Sequence, residues 1–123
     1  MANEIWHSYE EGNTLYALIW RQSDDKVYDQ VAAADTFDTY TDADILTYDV
    51  PLTNHADSNY YTVDFQTDIS KGVYRVQIFL QAAGSAHADN DKEVAQGEIH
   101  WNGNKEVASA DYDDVVLNIY DET

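Results

Sequence analysis

The feature that most constrains this chain is a period-two alternation of apolar and polar side chains that recurs in short runs along the sequence. Successive side chains of a β-strand point to opposite faces, so each run predicts a strand with one buried face. The runs 60–65 and 72–81 are the clearest, because an apolar or aromatic residue occupies every second position from Tyr61 and from Tyr74. We expect these residues to point inward and the other face of 60–65, with Thr62, to meet water.

The run Thr14–Trp20 differs from the others because both of its faces are apolar. A strand that is covered on both faces lies inside a sheet rather than on its surface. We therefore predict that this run is the central strand of the fold. The polar stretch 21–26 that follows it predicts a hairpin turn, which returns the chain as a strand beginning at Val27.

Further strands are predicted where β-branched and aromatic residues cluster between turn residues. Pro51 has no backbone N–H to donate, which indicates a strand at a sheet edge. Asn102-Gly103 is a strong hairpin signal, because both central residues of such a turn must adopt positive φ. These additional predicted strands are Thr36–Tyr40, Ile45–Leu52, Val94–Trp101 with Ile99 and Trp101 on one face, Lys105–Val107 and Val115–Tyr120.

Short strands at roughly ten-residue spacing, with no run of helical period, predict an all-β fold. We expect an antiparallel β-sandwich of about seven or eight strands, immunoglobulin-like or jelly-roll-like, although a closed barrel would show much the same pattern. Gly72-Val73-Tyr74 resembles the tyrosine position near the start of the penultimate strand in immunoglobulin-like domains. Residues 1–12 lack alternation, so we divide the chain into an N-terminal arm over 1–12, packing on a neighbour, and one sandwich domain over 13–123.

The net charge of the chain limits the kinds of molecule that it is expected to bind. Six Lys and Arg residues oppose 24 Asp and Glu residues, and the net charge of −18 repels nucleic acids and anionic membrane surfaces. There is no Cys to form disulfides or thiolate metal sites. We see neither an export signal nor an apolar run long enough to span a bilayer, and we expect a protein made in the cytoplasm. The acidity is either a solvated surface or a surface that meets Ca²⁺ or basic partner proteins.

Clustered aspartates are the candidate metal ligands, because Ca²⁺ is bound by several oxygen atoms. The candidates are Asp38 and Asp42 in one cluster and Asp89 and Asp91 in another, and none matches the spacing of a calcium-binding loop. Solvated turns are the simpler interpretation, so we expect no cofactor and treat Ca²⁺ as the alternative. The four His residues show no zinc spacing, and no Ser lies in a nucleophile elbow. We therefore expect no catalytic residues and no enzyme.

Aromatic side chains outside the inward-facing positions are the candidate contact residues, since Tyr and Trp anchor protein partners or stack on sugars. We assign Tyr60 and Phe79 to the outward faces of adjacent predicted strands, where they either pair across the sheet or bind a partner. Trp6 and Tyr9 lie in the predicted arm, which favours burial against another subunit. Trp6, Tyr9, Tyr60 and Phe79 are thus the predicted interface.

Six segments of the chain are informative when taken together: Leu15–Trp20, Val27-Tyr28, residues 48–53, Tyr61–Phe65, residues 72–76 and residues 97–103. Together they resemble small β-sandwich proteins encoded among the structural genes of tailed phages and prophages. The resemblance covers about residues 13 to 107 and leaves the tail 108–123 unplaced. It implies a virion structural protein, in the capsid decoration, neck or tail, that binds copies of itself and other virion proteins. A carbohydrate- or Ca²⁺-binding module for host attachment is the alternative.

Overall fold

The computed structural model of this protein describes residues 4–56, 58–82 and 91–103. Strands dominate these residues, and a 3₁₀ turn over Asp42–Asp44 and a short helix α1 over Ile45–Tyr48 interrupt them. The strands are β1 (Ile5–Ser8), β2 (Leu15–Arg21), β3 (Lys26–Tyr28), β4 (Phe37–Asp38), β5 (Val50–Pro51), β6 (Thr53–Asn54), β7 (Tyr60–Val63), β8 (Gly72–Leu80) and β9 (Lys92–Trp101).

The strands form two antiparallel sheets, which confirms the predicted all-β sandwich. The small sheet has the order β1-β7-β6, and the large sheet has the order β4-β3-β2-β8-β9 with β5 also pairing with β2. A cluster of buried side chains contributed by both sheets forms the core between them, and it includes Ile5 and Tyr61 from the small sheet and Trp101 from the large one.

Strand β2 is the central strand, as its two apolar faces predict. It pairs with β8 along its whole length, and its other edge pairs with β5 near its start and with β3 near its end. All five residues from Leu15 to Ile19 are buried, with at most 2% of any one exposed. The predicted hairpin into Val27 is also confirmed, because Val27 lies opposite Trp20.

Strands β8 and β9 also follow the sequence pattern. Tyr74 is buried as predicted, and its hydroxyl donates a hydrogen bond of 2.6 Å to the Ser70 carbonyl oxygen. A tyrosine that bonds back to the backbone a few residues upstream is a feature of immunoglobulin-like sandwiches. Trp101 is fully buried and donates its indole N–H to the Ile69 carbonyl oxygen. Gly103 has the positive φ of 99° expected in the turn that follows, whereas Asn102 does not have the positive φ that the predicted hairpin turn requires. The predicted strands Lys105–Val107 and Val115–Tyr120 lie outside the described residues.

The prediction of a strand over Ile45–Leu52 is wrong in its first half, where the chain forms α1. Ile45 and Tyr48 are three residues apart, and so share one face of a helix, and both are buried while Leu46 is 57% exposed. They pack with Tyr16 and Leu18 of β2 on the outer face of the large sheet. The helix therefore forms because that face of β2 needs apolar cover. Pro51 follows in β5, which pairs only with β2 among the described strands.

The N-terminal segment also differs from the expected arm, because Ile5–Ser8 is strand β1 at the edge of the small sheet. Ile5 lies in the sandwich core with 3% of its surface exposed, whereas Trp6 points outward and is 60% exposed. An apolar residue on each face of the strand hides the alternation that would have revealed it in the sequence.

Substitutions at Ile5 and Trp6 test whether residues 5–8 form a strand that packs on the core. We expect Ile5→Ala to lower the free energy of unfolding by about 2 to 4 kcal/mol, because it leaves a cavity in the core. Trp6→Ala, its exposed neighbour on the same strand, should change stability by about 0.5 kcal/mol or less. Chemical denaturation measures both, and equal small effects would show that residues 5–8 do not pack in the core.

Candidate contact surface

Two of the four predicted contact residues lie side by side on the outer face of the small sheet. Trp6 is 60% exposed and Tyr60 is 42% exposed, and their ring centroids are 6.2 Å apart with the ring planes tilted by 46°. The ring of His55 extends the group, with its centroid 5.3 Å from that of Tyr60. The sheet thus presents adjacent aromatic rings to the surroundings of the protein.

Strand register explains why these rings meet. Trp6 in β1 lies opposite Thr62 in β7, and Thr62 lies opposite Thr53 in β6, so the three side chains share the outer face. Ser8 lies opposite Tyr60 on the same face. We call this surface the aromatic face, and define it by Trp6, Ser8, Thr53, His55, Tyr60 and Thr62.

The aromatic face corrects the prediction that Thr62 meets water. Thr62 is only 3% exposed, and its Oγ1 lies 2.8 Å from Nε2 of His55. His55 directly follows β6, and its ring lies over the threonine, so a polar side chain is buried on the outside of the sheet with a hydrogen-bonding partner. This contact stabilises the position of His55 beside Tyr60.

The other two predicted contact residues lie elsewhere. Tyr9 is half-buried, packs partly against the sandwich core and stacks on His7 at 6.2 Å. Phe79 belongs to β8 in the large sheet, so the prediction that it neighbours Tyr60 on an adjacent strand is wrong. Its ring stacks on Tyr16 with centroids 5.5 Å apart and planes 12° apart, because Phe79 lies directly opposite Tyr16 in the sheet.

Charge is distributed unequally between the two sheets. The sequence has no Lys or Arg at positions 1–20 or 27–70, which include every residue of β1, β6 and β7. The described cationic residues lie in the large sheet or directly before β8, and they are Arg21, Lys26, Lys71, Arg75 and Lys92. The aromatic face contains no Asp or Glu, but acidic residues flank its strands: Glu4 and Asp64 lie beyond one end, and Glu10 and Glu11 beyond the other.

An open cleft of about 290 Å³ lies beside Trp6, between β1 and the β8–β9 edge of the large sheet. Its lining includes the apolar residues Ile5, Ile78 and Ile99, together with Trp6. The three isoleucines are core residues that are at most 5% exposed, and Glu4 and Glu98 also line the cleft.

Among the predicted metal ligands, Asp91 takes part in a structural contact. Its Oδ2 accepts a hydrogen bond of 2.6 Å from the Tyr16 hydroxyl, and its Oδ1 accepts one from the backbone N–H of Ala82. Burial, followed by the bond to Asp91, raises the pKa of Tyr16 well above its usual range. The contact ties the start of β9 to the end of β8 and to β2. Asp89, its predicted companion ligand, lies outside the described residues.

In the first aspartate cluster, Asp38 lies beside another carboxylate, that of Asp29. A hydrogen bond with the Asp29 carboxylate raises the pKa of Asp38, and Asp42 begins the 3₁₀ turn. No group of three or more His, Asp or Glu side chains able to hold a metal ion occurs among residues 4–56, 58–82 and 91–103. Asp38 and Asp42 remain predictions as Ca²⁺ ligands.

Acidic residues are concentrated around the loop between β3 and β4 because their carboxylates hold its backbone in a costly conformation. Ala33, Ala34 and Asp35 are three consecutive residues with positive φ, between 50° and 62°, which is costly for residues with a Cβ. Carboxylates hold this conformation: Asp29 accepts bonds from two backbone N–H groups of the loop, and Asp68 accepts one from Ala34. Asp35 in turn binds Ser70 through both of its oxygen atoms.

No helix among the described residues is both long and apolar enough to cross a membrane. Comparison with protein-family models, curated proteins and solved structures finds no match to this chain.

The positive φ of Ala34 predicts how replacement of this residue by glycine changes the stability of the protein. We expect Ala34→Gly to leave the free energy of unfolding unchanged or raise it by up to about 1 kcal/mol, because glycine adopts positive φ without steric cost. Ala32→Gly, in the same exposed loop but without positive φ, should lower it by about 0.5 to 1 kcal/mol. Thermal and chemical denaturation measure both variants, and a loss of stability in Ala34→Gly equal to the control would contradict the left-handed conformation.

The buried tyrosines predict alkaline sensitivity. Burial and neighbouring carboxylates raise the pKa values of Tyr16 and Tyr28 above that of an unfolded tyrosine, about 10. The stabilisation is therefore complete below about pH 10 and is lost as the pH rises further, since the unfolded chain then releases protons that the folded chain retains. We expect the free energy of unfolding to fall above about pH 10, and to fall less steeply in Tyr16→Phe. Identical slopes in wild type and variant would contradict this.

Proposed function

We propose that this protein is a non-enzymatic structural component of a tailed-phage virion that acts through protein–protein contacts made by the aromatic face. The observation that carries the proposal is the exposure of Trp6 and Tyr60 side by side on a sheet face without charged residues, in a chain of net charge −18. The resemblance of residues 13 to 107 to phage structural proteins is our reason for proposing a place in the virion, as a capsid decoration, neck or tail component.

The physical case for contact lies in the cost of leaving these rings in water. Exposed aromatic side chains bury large apolar areas when a partner covers them, and Trp and Tyr are enriched among the residues that dominate binding energy. The rings are carried by paired strands, and Trp6 lies next to Ile5, which is held in the core. A partner therefore meets a surface that is already ordered, so little conformational entropy is lost on binding.

Carbohydrate binding is the second candidate, because adjacent aromatic rings can also stack on sugar rings. The array of Trp6, Tyr60 and His55 is the observation that favours it, with centroid separations of 6.2 and 5.3 Å. The rings are tilted by 46° and 34° rather than coplanar, which suits a twisted glycan chain better than a flat one. Retention of sugars on a glycan array by the wild type, and its loss in Trp6→Ala, would favour this function.

Particle composition tests the structural proposal. We expect mass spectrometry to detect this chain in purified virions from the strain that encodes it, and the variant Trp6→Ala/Tyr60→Ala to be reduced in those particles about tenfold or more, since truncating such contact residues costs about 2 kcal/mol or more. Val31→Ala is the matched control, because Val31 is 70% exposed and lies outside the small sheet. It should be incorporated like the wild type. Particles that lack the chain, or that take up the double variant normally, would contradict the proposal.

A further inference from the structure

We infer that the partner of the aromatic face is a basic protein surface that places arginine side chains on Trp6 and Tyr60. This inference rests on the proposed function, and it identifies the chemistry of the partner. The main observation behind it is that the described Lys and Arg residues lie in or next to the large sheet and not in the small sheet.

The small sheet is built entirely from segments without Lys or Arg. Positions 1–20 and 27–70 hold none, whereas they hold acidic residues next to both ends of β1 and beyond β7. A partner that approaches the aromatic face therefore meets the exposed residues Glu10 and Glu11 beyond one end, whereas Glu4 at the other end accepts a hydrogen bond from the backbone N–H of Phe65. Lys and Arg on that partner would pair with Glu10 and Glu11, and no cation of the small sheet would repel them.

The exposed rings of Trp6 and Tyr60 on the aromatic face favour binding of an arginine guanidinium group over a lysine ammonium group. Arginine stacks its planar group on aromatic rings, and the attraction is strongest over Trp. Within the described part of the chain, Arg21 makes a contact of this kind, since its Cζ lies 4.4 Å from the centre of the Phe37 ring. Trp6 is the most exposed aromatic residue described, so its ring is accessible to a guanidinium group.

A second copy of this chain fits the face less well. Two copies that joined their small sheets would bring together the acidic residues at both ends of each sheet, and each copy carries a net charge of −18. Salt screens this repulsion beyond about 8 Å at physiological ionic strength, but residues in contact are closer than that. Charge complementarity therefore favours a basic partner over self-association.

Binding of short model peptides tests the inference. Fluorescence anisotropy would follow labelled, end-capped hexa-arginine, hexa-lysine and hexa-glutamate peptides titrated with the full chain. We expect hexa-arginine to bind more tightly than hexa-lysine, and hexa-glutamate not to bind. We also expect Trp6→Ala/Tyr60→Ala to weaken hexa-arginine binding about fivefold or more, which is the range for loss of a cation–π contact. Val31→Ala should bind like the wild type, because it leaves the aromatic face intact.

The controls separate this inference from the proposed function. Equal binding of hexa-arginine to the wild type and the double variant would overturn the inference, since the peptide would then be held by diffuse charge. Concentration-dependent dimers in light scattering, lost in the double variant, would also overturn it, because the face would then bind a second copy. Both results leave the particle-composition test of the proposed function unaffected. Normal uptake of the double variant into particles would instead refute the proposed function.

Discussion

Burial of β2 on both faces is the constraint on which the rest of the structure depends. Its residues Leu15, Ala17 and Ile19 enter the core between the sheets, while Tyr16 and Leu18 enter the outer cluster under α1. Burying one large apolar side chain contributes about 1.5 to 3 kcal/mol, so a strand with two buried faces stabilises two packing layers at once. The other elements are arranged to cover it: the small sheet on one side, and α1 on the other.

Strict alternation made much of this fold predictable from the sequence. The positions of β2, β7, β8 and β9 follow from it because each has at least one regularly spaced apolar face. Helix α1 could not be predicted in the same way, since Ile, Leu, Thr and Tyr over residues 45–48 also suit a strand. Only the apolar outer face of β2, which is a tertiary feature, favours the helix that pairs Ile45 with Tyr48.

The candidate site was predictable in its residues but not in its arrangement. Trp6 and Tyr60 stand out in the sequence as aromatic residues that no predicted core accounts for. Their proximity depends on the register of β1 against β7, and no local signal in the sequence specifies a pairing between strands so far apart in the chain. Phe79 was misplaced for the related reason that its position opposite Tyr16 depends on the register between β2 and β8. Register is set by the packing of the whole sandwich, so it appears only in the structure.

The pairing of β2 with β8 has a consequence for how the chain folds. Leu15 lies opposite Leu80, and Ile5 lies opposite Val63, so the main pairings of both sheets join distant parts of the sequence. Proteins with such non-local contacts fold slowly, because a long loop must close before the contacts form. During synthesis, the apolar strand β2 emerges well before its partner β8 and has only β3 and β5 beside it. The strong negative charge then keeps growing and newly released chains apart, and so protects an unpaired strand from association with another copy.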